Sequence, residues 1–246
     1  MSKHIQADFK PSALGPIPNS WDVSELGEVC TLNNGRAYKL TEWEKTGTPV
    51  IRLQNLTGSG NNYYYSSLKL PDNQYVYPGD LLYMWSASFG PYIWNGPKAI
   101  YHYHIWKMSC NQQLQQNYLY HVLGFMTESW KSGTNGSTML HLTKESMERV
   151  YIKLPTLPEQ QKIAAVLSSA DRSIAATEKL IAKLADLKKA LMQQLLTKGI
   201  GHTEFKPSPL GPIPKSWEVV EFEYVAKIQG GYAFKSTDAV NNGTSV

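Results

Sequence analysis

Cysteine is scarce: Cys30 and Cys110 are all that 246 residues carry. Two thiols so far apart in sequence build neither a disulfide framework nor a zinc site, and both read as buried reduced thiols. No apolar run approaches the roughly 20 residues of a membrane-spanning helix. The opening MSKHIQADFKPS lacks the apolar stretch of a signal peptide. Together these point to the cytoplasm and away from a membrane. Charge of one sign is also in short supply, since the net value is only +4 with a pI near 8.8. That permits a nucleic acid partner without demanding one.

Catalytic phrases are missing as well. There is no P-loop and no G-x-S-x-G nucleophile elbow. A DNA amine methyltransferase needs a glycine-rich adenosylmethionine loop and an Asn/Asp-Pro-Pro-aromatic tetrapeptide. The nearest fragments, GSG at 58–60 and FGPY at 89–92, lack the right neighbours. A nuclease site starting at Pro71-Asp72 would need a downstream D-x-K. The one present, Asp186 to Lys188, falls in a long helical segment out of reach. His102 and His104 in YHYHIW have no further ligands in the pattern, so no metal is expected. No cofactor and no catalytic residue is expected either.

What is abundant is aromatic: 15 Tyr and 7 Trp, crowded between residues 38 and 130. Most suit a core, because each buries a large area; some suit a groove for bases or sugars. Short strand-like runs at 49–56, 80–86, 98–109 and 150–155 are separated by Gly, Asn and Pro clusters. Helical spacing marks 116–130 and, with Thr143 as cap, 143–149. Residues 1–155 thus read as a globular α+β domain of mixed strands and short helices.

The texture then changes. Thr156 and Glu159 have capping-box spacing, Pro158 sits in a first turn, and no Gly or Pro follows until Gly199. A helix spanning 156–199 would be about 60 Å long at 1.5 Å per residue. Ile163, Leu167, Ala170, Ile174, Thr177, Ile181 and Leu184 recur in steps of four and three. After one skipped residue the seam resumes at Leu187, Leu191 and Leu195. So sustained a stripe predicts a coiled-coil helix that pairs through these ten residues.

The chain also repeats itself. FKPSALGPIPNSW at 9–21 returns as FKPSPLGPIPKSW at 205–217, with 11 of 13 positions identical. At the same offset GRAYK (35–39) returns as GYAFK (231–235), and GTPV (47–50) as GTSV (243–246). A period this long is no solenoid. It reads as a duplicated unit of domain plus connector, of which residues 200–246 hold the start of a second copy. That second copy is expected to fold poorly alone. The proline-rich arm at 9–21 is expected to be extended, with Trp21 anchoring it.

LPTLPEQQKIAAVLSSAD (154–171), GDLLYMWSASFGPYIWNGPKA (79–99) and STMLHLTKESMERVYIKLP (137–155) in this order resemble the specificity subunit of type I restriction–modification enzymes. The resemblance implies a target-recognition domain that reads one half of a split site on double-stranded DNA. It further implies a spacer helix that pairs antiparallel and docks modification (methyltransferase) subunits, with the restriction (nuclease) subunit joining through the complex. The subunit itself would perform no chemistry. With one recognition domain and one spacer helix here, the expectation is a homodimer through the long helix, acting on an interrupted palindrome.

Base edges are read by Arg, Lys, Asn, Gln and Ser on protruding elements, and phosphates collect Lys, Arg and hydroxyls. The candidates are Arg36, Lys39, Arg52, Gln54, Asn55, Ser86, Ser88, Lys131, Asn135 and Thr138. Arg36 corresponds to Tyr232 in the second copy while Lys39 keeps its type. A varying side chain suits base reading and a constant lysine suits a phosphate. Arg52 and Gln54, alternating with Ile51 and Leu53, are expected to share one strand face. His102, Tyr103 and His104 are weaker candidates. A second reading, a carbohydrate-binding module on a coiled-coil stalk, draws on the aromatic density. A hydrolase with a dispersed site is the third.

Overall fold

The computed structural model describes residues 8–133, 142–231 and 233. The chain forms two compact units, residues 1–174 and 175–246. The first has mixed α+β architecture, as the strand and helix spacing requires. No helix among the described residues is long and apolar enough to cross a membrane.

The first described residues form a ribbon, β1 (Phe9–Lys10) against β2 (Ile17–Pro18), rather than a fully extended arm. Ser12 closes its turn by donating to the Gly15 carbonyl and accepting from the Leu14 N–H. Next come β3 (Asp22–Glu25), a one-turn α1 (Leu26–Val29) and β4 (Cys30–Asn34). Then β5 (Thr48–Ile51), α2 (Leu53–Thr57), β6 (Tyr64–Ser66), β7 (Tyr75–Val76), β8 (Leu81–Ser86), β9 (Ser88–Ile93), β10 (Ala99–Tyr101) and β11 (Ile105–Cys110) build two four-stranded sheets. One is antiparallel, in the order β4-β11-β8-β9; the other runs β6-β5-β10-β7 with β5 and β10 parallel. Helices α3 (Gln116–Gly133) and α4 (Lys144–Glu148), strand β12 (Tyr151–Leu154) and the long α5 (Leu157–Lys198) follow, with β12 paired to β3.

Strand β8 explains how the layers stack. Side chains alternate across a strand, and both faces of LLYMWS are apolar. Leu81 and Tyr83 join the core that also holds Trp106, Met108, Leu119 and Leu123 from β11 and α3. Leu82 and Met84 join the other core with Ile51, Val76, Trp94 and Tyr101. The antiparallel sheet therefore lies between α3 and the mixed sheet. Lys107, on the same face of β11 as the buried Ile105, is satisfied by Asp80 at 2.7 Å and by the Tyr75 carbonyl at 2.9 Å.

Two strand expectations are corrected. The run 49–56 stops being a strand at Ile51, because Asn55 Oδ1 accepts the Arg52 N–H at 2.9 Å and starts α2 instead. Leu56 is then buried from the helix rather than the strand. Arg52 and Gln54 consequently do not share a strand face. The run 98–109 breaks at residues 102–104 into β10 and β11, which belong to different sheets. His102 and His104 therefore sit in a connecting turn.

At the start of α5 the buried residue is polar. Gln160 accepts from the Gln115 N–H at 2.8 Å and donates to the carbonyls of Gln113 and Pro155 at 2.9 and 2.8 Å. It thereby satisfies three backbone groups at the entry to α3 and at the end of β12. Glu159 beside it accepts the Trp21 indole N–H at 2.8 Å, which anchors the arm as expected. Changing Gln160 to Leu strands all three backbone groups without partners. The expected loss is about 3 kcal/mol or more of unfolding free energy, read as a lowered urea midpoint with unchanged slope.

In the second unit α5 continues to Lys198 and stops at Gly199, whose φ of 68° is the left-handed conformation that ends a helix. Strands β13 (Phe205–Lys206) and β14 (Ile213–Pro214) then repeat the ribbon of β1 and β2 in the same register. Ser208 closes the turn as Ser12 does, and α6 (Phe222–Val225) repeats α1. The sequence repeat is thus a structural repeat.

Candidate nucleic-acid interface

Five segments converge in the first unit: the loop after β4, the start of α2, β6, the β8–β9 hairpin tip and the 102–104 turn. Gly35 makes the convergence possible. A Cβ there would collide with the His102 and Tyr101 carbonyl oxygens, so no other residue lets the loop run against β10. Arg36 N–H then donates to the Tyr101 carbonyl at 3.2 Å, and the side chains that follow are set from that point.

The Arg36 guanidinium is held by the Glu42 carboxylate and lies over the Tyr38 ring, 4.8 Å from its centroid. Glu42 also accepts the Lys39 backbone N–H at 2.8 Å. Arg36 first, and that N–H second, hold the Glu42 carboxyl below the usual range, while Glu42 raises Arg36. Burial pushes Tyr38 up to about 12. Arg36 Nη1 and the Tyr38 hydroxyl are buried close to each other and make no well-formed hydrogen bond. They are the kind of polar atoms a base edge or phosphate oxygen satisfies.

Trp43 stands next to Tyr38, with centroids 5.3 Å apart, and packs on Tyr64 at 4.6 Å. Arg52 lies over both Trp43 and Tyr64. His102 faces Tyr38 and Trp43 at 6.5 and 6.2 Å, and its ring is 5.4 Å from His104. Burial, then His104 and Arg52, lower His102 to about 4, so it stays neutral at physiological pH. Trp85 ties this turn to the hairpin tip, its indole N–H donating to the Tyr103 carbonyl at 3.0 Å. Ser86 and Ser88 face each other across that tip, with Ala87 between them in the left-handed region at φ 57°. An alanine held there is strained, and the turn presents the two hydroxyl-bearing residues at the end of the sheet.

Of the expected readers, Arg36, Lys39, Arg52, Ser86 and Ser88 belong to these converging segments. Gln54 lies on α2 against Gly60. Asn55 is occupied internally, with its amide donating to the carbonyls of Gly60 and Asn62. Lys131 is on the last turns of α3, paired with Glu128 at 2.9 Å. Asn135 and Thr138 lie outside the described residues. Sequence reasoning missed Tyr38, Trp43, Tyr64 and Trp85. Aromatic crowding was visible, yet nothing in the spacing separated these rings from core aromatics.

Elsewhere His121, Ser168 and Asp171 come together between α3 and α5, with His121 Nε2 2.9 Å from Ser168 Oγ and Nδ1 3.7 Å from Asp171. Ser168 lies inside α5, where the neighbouring N–H groups are spent on the helix ladder and leave no oxyanion donors. The set is a pin between two helices, and the dispersed-hydrolase reading loses its best constellation.

Residues 18–186 match the family model described as the type I restriction modification DNA specificity domain. The chain belongs to this family. It is 30% identical over 248 residues to the type I restriction enzyme MjaVIII specificity subunit of Methanocaldococcus jannaschii, covering 99% of this chain and 58% of that protein. Against the EcoBI specificity subunit of Escherichia coli the identity is 25% over 187 residues, covering 75% and 39%. The solved HsdS subunit from Thermoanaerobacter tengcongensis superposes with a TM-score of 0.57 at 22% identity, over 76% of this chain and 47% of that one. That likeness is one of fold. The chain spans about half the length of these relatives. Family membership leaves the carbohydrate-binding reading without support.

Proposed function

We propose that the first unit of this specificity chain reads one half-site of duplex DNA for a type I restriction–modification complex, without catalysing a reaction itself. The domain boundaries proposed are 1–155 for recognition, 156–199 for the spacer helix and 200–246 for the repeated arm. The observation that carries the reading is the aromatic and guanidinium cluster around Arg36 and Arg52. Arg36 is charge-compensated by Glu42, which suits a base edge better than a phosphate; Arg is the commonest partner of guanine O6 and N7. Lys39, exposed at the rim, suits a phosphate. Asn55 acts by positioning the loop beyond α2.

Modification subunits, and through them the restriction subunit, are the proposed protein partners. We further propose that α5 pairs antiparallel with α5 of a second copy of this chain. Ile174, Ile181, Leu184, Leu187, Leu191 and Leu195 are all exposed along it. Ile163 is excepted, since it packs on the core of its own domain. An apolar groove beside Leu167, lined by Val122, Phe125 and Met126 of α3, suits the leucine-rich end of the partner's helix.

DNA binding tests the reading. In the assembled complex, log K against log salt should fall steeply on duplexes carrying the target. Arg52→Ala should cost about 1–3 kcal/mol on the target, with its discrimination against single-base variants relaxed. Salt-independent binding, or an Arg52→Ala complex that keeps full discrimination, contradicts this assignment.

A further inference from the structure

We propose that Cys30 and Cys110 are a redox-active pair that closes reversibly into a cross-strand disulfide by exchange with low-molecular-weight disulfides. The inference does not depend on what the cluster around Arg36 binds. Although distant in sequence, the two residues are directly opposite each other on the last rung of the β4–β11 pair.

The kind of rung decides whether a bridge fits. Rungs of an antiparallel pair alternate between hydrogen-bonded and non-hydrogen-bonded, with Cα atoms about 5.5 and about 4.5 Å apart. Gly35 N–H donates to the Ile105 carbonyl at 3.1 Å, and Asn111 N–H to the Val29 carbonyl at 2.9 Å. Both bonds join residues directly opposite in the same register, so every second rung between them is hydrogen-bonded. Cys30 and Cys110 fall on the other kind, the closer one. A Cα separation of about 4.5 Å lies within the range that a disulfide spans.

The thiols differ in the way exchange requires. Cys30 is buried, whereas Cys110 is only partly buried. The neighbouring Cys30 thiol lowers Cys110 below the ordinary thiol range. That same contact, and burial after it, push Cys30 up. Cys110 is thus the attacking sulfur and Cys30 the resolving one.

In the first step the Cys110 thiolate attacks one sulfur of a disulfide such as oxidised glutathione. A mixed disulfide forms and one glutathione thiolate leaves. Cys30 then gives its proton to solvent, its sulfur attacks Cys110 Sγ, and the second thiolate departs. Two protein thiols are oxidised while one small disulfide is reduced to two thiols. A reducing cytoplasm holds the pair as thiols at rest; oxidative conditions close it. The bridge encloses residues 31–109, which carry the whole Arg36 and Arg52 cluster, so closure fastens the recognition domain.

The test is incubation of the native full chain with oxidised glutathione, followed by mass spectrometry and titration of free thiols in denaturant. The expected product is a single chain, not covalently joined to another, two hydrogens lighter, with no free thiol and a disulfide linking the Cys30 and Cys110 peptides. Its thermal midpoint should rise by several degrees over the reduced form. Cys30→Ser, close in size and shape, should stop at a single glutathione adduct on Cys110. Cys110→Ser, with the attacking sulfur gone, should gain none. Two retained thiols, two adducts on the unaltered chain, or covalent dimers in place of the internal bridge would each overturn the proposal.

Discussion

A chain carrying Ile174→Lys and Ile181→Lys should sediment as a monomer at roughly tens of micromolar, where the unaltered chain sediments as a dimer. Both isoleucines are more than half exposed, at 57% and 61%, so the lysines cost the isolated fold little. In a paired helix they sit on the seam. Burying an isoleucine side chain is worth about 1.5–3 kcal/mol, and a symmetric pair loses four. That sums to an upper bound of about 6–12 kcal/mol, or several decades of dissociation constant. Circular dichroism should show helix retained up to the fraying of α5. An unaltered chain that stays monomeric at that concentration would remove the pairing.

Inserting one heptad into α5 near Ile181 should change the spacing of the DNA site without changing what each half-site says. Seven residues keep the seam in phase and lengthen an antiparallel pair by about 10 Å. At ~3.4 Å per base pair the preferred spacer should grow by about three base pairs. Three base pairs also rotate the second half-site by roughly 100° about the duplex. Recognition should therefore weaken as the spacer lengthens. A changed half-site with an unchanged spacer would mean that α5 does not set the distance.

Periodicity carried the long helix, and local signals carried its ends, because Gly199 and Pro158 act through backbone geometry that any context preserves. Helices α3 and α4 were legible for the same reason, down to Thr143 accepting from the Ser146 N–H at 3.1 Å. Residues 49–56 misled, since a side chain three residues ahead, Asn55, outbids strand alternation at Arg52. Residues 98–109 misled because a continuous aromatic run hides a turn that only tertiary pairing defines. The same limit applies at the site. Trp43 and Tyr64 become neighbours through β5 and β6, and nothing local announces it. Cys30 and Cys110 were read as separate thiols because strand register is a long-range property. Gln160 gave no signal either: within LPEQQ, two adjacent glutamines look alike until one of them is buried.

If paired helices present one recognition domain twice, the DNA site must hold the same half-site twice. Methylation mapping tests it most directly, in a cell whose sole specificity chain is this one and which also carries its modification subunits. The expected result is a single interrupted palindrome, two identical inverted half-sites on the order of one to two duplex turns apart, at ~34–36 Å per turn. Two different half-sites, or methylation without any sequence preference, would contradict it.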